Sequence, residues 1–193
     1  MTKWHYFSIF ALSTLLVFIL RQAPPKLLVG VPEPDGKIYP SSYLVNTKIT
    51  QYDALGQISH ILMANKIRYY GSQDSTMENI ALFDQPKFVF HNNNTEQDAP
   101  WKAISDQSSS NNKSDEFLLS GNVVLSQEID DENFSIITTS QLLIKPKQQY
   151  AETDKPAMIK NKSGTTTSVG LKISLDHGTV EFLSKVRSQY VLH

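Results

Sequence analysis

The chain has no cysteine, so disulfides, thiolate zinc sites, iron-sulfur clusters and cysteine nucleophiles are excluded together. It also lacks an excess of either charge: 18 Lys and Arg against 19 Asp and Glu leave a formal charge of -1. There is no basic field to draw in a phosphate backbone, and nucleic acid is not expected as a partner. The histidines His5, His60, His91, His177 and His193 fall in no metal-ligand spacing. No G-x-S-x-G elbow and no glycine-rich phosphate loop occur. The acidic pairs Asp130 with Asp131, and Glu152 with Asp154, stand among turn residues, where carboxylates solvate bends more often than they move protons. The sequence therefore gives no reason to expect a catalytic residue, a metal or a cofactor.

What is present begins with "WHYFSIFALSTLLVFIL", Trp4 to Leu20, which contains no Asp, Glu, Lys or Arg. As a helix it would span roughly 26 Å, just enough to cross a bilayer. Trp4 and Tyr6 would sit at the interface, and Arg21 ends the run. A cleaved leader fits less well, because Arg21 occupies a position that should be small and Pro24 follows the best cut site. The expectation is a transmembrane anchor over residues 1–22. From Ala23 to Pro40 the chain carries five of its nine prolines, a composition that blocks helix and ladder alike. This reads as a tether over 23–40, followed by a domain over 41–193.

In that domain amphipathic helical patterns vanish and a period of two takes over. In "VEFLSKVRSQY" Val180, Phe182, Val186 and Tyr190 share a face, while Glu181, Lys185 and Arg187 share the other. Leu171 and Ile173 alternate in the same way in "VGLKISLD", Leu119 and Val123 in "FLLSGNVVL", and Ile136 and Leu142 in "FSIITTSQLLI". Pro86, Gly121 and Pro156 stand 35 residues apart, each before a short apolar run. They read as marks between successive hairpins, with "HGTV" around Gly178 a further hairpin turn. Hairpins cannot bury an apolar face alone, so two antiparallel sheets of stacked hairpins should face each other. Ser105 to Glu116 and Asn92 to Asp98 are polar enough to be solvated loops. Alternation alone fits both a closed core and a splayed trough for acyl chains.

Taken in order, "ITQYDALGQISHILMANKIRYY", "LFDQPKFVF", "LSGNVVL", "ITTSQLLI", "YAETDKPAMI" and "SVGLKISLDHGTVEFLSKVRSQY" resemble the LptC family. That family comprises the bitopic components of the lipopolysaccharide export machinery of Gram-negative bacteria. The resemblance implies an elongated, twisted all-β jelly roll held at the inner membrane by one helix, with its domain in the periplasm. It implies lipopolysaccharide as ligand, an ATP-driven transporter met through the helix as donor, and a soluble periplasmic bridge protein as acceptor. Open sheets join by strand addition at their edges, so the last strand or its neighbour is expected to meet the bridge protein and a strand near Leu44 to Tyr52 the transporter. The family's lipid-contacting pattern falls on Thr47, Phe83, Val180 and Tyr190, and the glycine of its G-L-K segment on Gly170. "WKAISDQSSS" departs from the pattern by moving Ala103 off the expected alternation, and its serine-rich insertion is long. The rival readings are a bitopic scaffold with a closed, non-lipid-binding sandwich and an enzyme acting on envelope glycans through paired carboxylates.

Overall fold

The computed structural model describes residues 39–71, 80–91, 99–111, 116–130 and 133–190. The expected anchor, most of the tether and the 92–98 loop lie outside the described residues. Among the described residues no helix is long and apolar enough to cross a membrane.

Among the described residues the domain is one antiparallel sheet of eleven strands. They are β1 (Ser42–Tyr52), β2 (Ile58–Tyr70), β3 (Ile80–Asp84), β4 (Lys87–Phe90), β5 (Trp101–Ile104) and β6 (Gln107–Asn111), followed by β7 (Phe117–Glu128), β8 (Phe134–Lys145), β9 (Tyr150–Asn161), β10 (Gly164–Ser174) and β11 (Thr179–Tyr190). β3 and β4 both pair with β2, so they are two halves of one broken rung. β5 and β6 likewise pair end to end with β4 and β3, and then with β7. The result is a simple meander of nine rungs, each hydrogen-bonded to its neighbours in sequence, with β1 and β11 at the two edges.

From β3 to β11 every rung is interrupted near its middle. Ladders slip between Ser120 and Val123, Thr139 and Leu143, Val169 and Leu171, and Thr167 and Val169. Asn46, Gln85, Gly121, Asn122, Gly170 and Lys185 have positive φ at the corresponding places. Aligned bulges re-aim a strand, and here they crease the whole sheet so that it covers itself. One sheet thus supplies both layers, where two separate sheets were expected. Phe88 in one layer meets Phe117 in the other edge-on, with ring centroids 4.9 Å apart.

The 35-residue punctuation belongs to this crease and not to the turns between hairpins. Pro86 separates β3 from β4, Gly121 lies in the β7 bulge and Pro156 flanks the β9 bulge. All three fall on alternate rungs, which run in the same direction, so 35 residues is the length of two rungs. Proline and glycine suit the crease because the ladder is already broken there.

Side chains and irregular backbone bonds replace the missing ladder. Asp106 N donates to the Gly121 carbonyl at 2.9 Å, and Gln85 N donates to the Asp106 carbonyl at 2.9 Å. Asn122 Nδ2 donates to Asp106 Oδ2 at 2.8 Å, and Thr139 Oγ1 to the Pro156 carbonyl at 3.0 Å. These bonds meet the requirement that buried backbone groups find partners.

Two further expectations are corrected. The first part of the Ser105 to Glu116 stretch is not a solvated tip, because Gln107 to Asn111 form β6 inside the sheet, with Ser108 only 2% exposed; residues 112–115 lie outside the described residues. Nor does Ala103 leave the alternation. Trp101 and Ala103 are both buried, opposite Phe90 and Phe88.

Candidate functional site

The inner wall can be followed row by row, because residues directly opposite in an antiparallel ladder share a face. In one layer Leu44, Ile67 and Phe83 lie in line, and further along so do Ile144, Ala151, Ile173 and Val180. In the other layer Thr47 pairs with Ala64, and Ile137, Ile159, Thr166 and Ser188 form a second line. The middle of this wall is closed. Phe83, Leu119, Val123, Leu142, Leu171 and Ile173 all lie between 0 and 4% exposed, packed with Phe88, Phe90 and Leu125. These six were expected to line a groove, and in this structure they line a core.

The ends are different. Val180 and Phe182 are only half-buried against the core, and Tyr190, opposite Gly164 and two residues beyond Ser188, is 75% exposed. Val186 sits at the β11 bulge and is likewise exposed. At the other end Thr47 is half-buried and Leu44 exposed. Of the thirteen expected site positions, Thr47, Val180, Phe182, Val186 and Tyr190 are therefore within a ligand's reach as the chain stands.

Ile136 is a correction. It pairs with Lys160 on the outer face, while its neighbour Ile137, 1% exposed, faces in. The bulge after Thr139 accounts for this, since it shifts the parity between the two halves of β8: Leu142 and Ile144 face inward while Ile136 faces outward. Gly170 has φ +79° at the β9 and β10 slip, and a Cβ there would stand 2.9 Å from Leu183 Cδ1.

Opposite the crease the two layers meet along a mouth. The short 3-10 turn Pro146–Gln148 lies against β2 there, and Gln149 Nε2 donates to the His91 carbonyl at 3.5 Å. The outer face carries its own polar network. Lys145 lies 3.5 Å from both Glu116 and Glu152, and the Tyr150 hydroxyl donates to Glu152 Oε2 at 3.0 Å. Burial pushes the Tyr150 hydroxyl up to about 12, with the Glu152 bond adding to it.

Among the described residues no group of His, Asp and Glu could hold a metal ion. The crease and the orphaned polar groups of the inner wall were not read from the sequence. Asn46, Gly121 and Asn122, turn-forming residues inside apolar alternation, are the signal that could have found the crease.

Fold and site together define a class: a creased antiparallel meander with an apolar interior, closed in the middle and ending, among the described residues, in two unpaired edges. The family model for "Lipopolysaccharide-assembly, LptC-related" matches residues 8–191, and the chain belongs to the LptC family. No curated protein matches it. Among solved structures it is similar to LptH, described as the LptA homologous periplasmic component of the conserved lipopolysaccharide transport device from Pseudomonas aeruginosa. That likeness has a TM-score of 0.47 and 9% identity, over 69% of this chain and 94% of the other.

Proposed function

We propose that this protein is a membrane-anchored bridge in lipopolysaccharide export, held by a helix over residues 1–22 with its sheet in the periplasm. It takes lipopolysaccharide from an inner-membrane ABC transporter at the β1 edge and passes it to a soluble periplasmic protein at the β11 edge. The family match over residues 8–191 carries this reading. The geometry supports it in two ways. Among the described residues both edge strands leave backbone groups unpaired, which permits end-to-end strand addition. The inner wall also runs from exposed Leu44 at one edge to exposed Tyr190 at the other.

Magnitudes limit how the interior opens. Exposing a twelve-carbon chain to water costs on the order of 10 kcal/mol, and each fully buried Leu, Ile or Phe contributes about 1.5–3 kcal/mol. One acyl chain therefore offsets the parting of roughly four or five core side chains. The interior opens locally, a few rungs at a time, beginning at the half-covered end around Phe182 and Tyr190.

The closed middle favours a second reading, a scaffold whose core stays dry and whose edges bind only protein. Photoreactive residues placed at Phe182 and Tyr190 in living Gram-negative cells separate the two. Glycolipid adducts at both, with none at the outward Glu181 and Arg187, are expected. Protein adducts alone would establish the scaffold instead.

A further inference from the structure

Five polar residues are buried on or beside the inner wall: His60, Ser105, Ser108, Thr153 and Ser168. Ser105 Oγ donates to the Gln107 carbonyl at 2.8 Å and Ser168 Oγ to the Gly170 carbonyl at 3.1 Å. Thr153 Oγ1 accepts from Lys155 N at 3.1 Å, and His60 lies 3.4 Å from Ser59 Oγ. Among the described residues Ser108 Oγ has no partner, and neither does Trp101 Nε1, although Ser108 is 2% and Trp101 3% exposed. Both belong to the same rung, one in each layer. Ser108 stands between Phe83 and Leu119, and Trp101 stands opposite Phe90. An indole N–H can only donate, and a buried hydroxyl without a partner is a donor in waiting.

Buried polar groups in folded proteins are nearly always paired. Two orphaned donors on a wall whose other buried polar side chains have partners therefore point to a missing acceptor. That acceptor is neutral and sits among hydrocarbon, because no Lys or Arg is among the buried residues described and a phosphate would arrive without a counter-charge. We propose that Trp101 Nε1 and Ser108 Oγ receive the carbonyl oxygens of ester- or amide-linked acyl chains, so that rung four is a polar station on the acyl path. This rests on the lipid-conducting reading. In the empty protein the two donors are a standing penalty, which an entering acyl group relieves.

The test uses the full chain in a membrane mimic with two probes: purified lipopolysaccharide, and an alkyl maltoside, which has a hydrocarbon chain but no carbonyl. Ser108→Ala, Trp101→Phe and the double variant are compared with the parent. Each single change should lower lipopolysaccharide affinity about three- to tenfold, while alkyl maltoside binding holds and the melting temperature of the empty protein is kept or rises. With carbonyl-labelled acyl chains, the infrared carbonyl band should be shifted down by the parent and not by the double variant. Unchanged lipopolysaccharide affinity in the double variant overturns the proposal. So does an equal loss for both probes with a lowered melting temperature, which would make the two residues packing elements. Should Trp101→Phe fail to fold, Ser108→Ala alone decides. If the parent binds neither probe, the conduction reading itself fails, and the station with it.

Discussion

Ile136 and Ile137 are adjacent in β8 and lie on opposite faces of the sheet, one beside Lys160 and the other in the core. Ile137→Ala should cost about 2–5 kcal/mol in urea unfolding, and Ile136→Ala less than about 1 kcal/mol. Equal losses would contradict the parity shift. Tyr150 makes a pH prediction at the same scale. Its folded value of about 12 lies above the ordinary 10, so the neutral hydroxyl's contribution is complete below pH 10 and is lost as pH rises through 12. Stability should fall by on the order of 1–3 kcal/mol across that window. The same titration on Tyr150→Phe should lack this component. Much of the inner wall was legible from alternation: Leu119, Val123, Leu142, Leu171 and Ile173 all face in. Ile136 was not, because a period of two carries no sign of a bulge that reverses its phase.

At the scale of the element, the crease decides the fold. Gly121 has φ +74°, and a Cβ there would stand 2.6 Å from Asp106 Oδ2, the oxygen that Asn122 already binds. Gly121→Ala should therefore destabilise by about 1–3 kcal/mol. Hydrogen exchange should speed up first at the neighbouring amides of Asp106 and Gln85, whose bonds bridge the broken ladder. A uniform loss of protection throughout the sheet would argue against a local role. The spacing of Pro86, Gly121 and Pro156 was visible in the sequence, yet its meaning was not. A proline or glycine before an apolar run marks a turn and a mid-strand bulge equally well. β6 was hidden for a related reason. "QSSSN" has no apolar residue, and only its neighbours Phe83 and Leu119 make its inner positions part of a core.

At the scale of the molecule, among the described residues the two layers are joined by backbone bonding only through the crease, while the described contact across the mouth is between Gln149 and His91. Parting the layers at the mouth breaks apolar contacts but no ladder. Because the chain contains no cysteine, the pair His91→Cys with Gln149→Cys forms a single addressable bridge. Closing it, directly or with a short thiol crosslinker, should reduce lipopolysaccharide uptake more than about tenfold, and reduction should restore it. Unimpaired uptake in the bridged form would mean that lipid enters elsewhere, or not at all.

Among the described residues the meander has no strand that closes it on itself, so nothing in the described geometry dictates how many rungs it must have. Two rungs are the smallest increment that keeps strand direction and crease in step, and here they take up 35 residues. Reach is thus a quantised property of this architecture. A duplicated or deleted pair of rungs would lengthen or shorten the span between the two edge strands while leaving the chemistry of each edge intact.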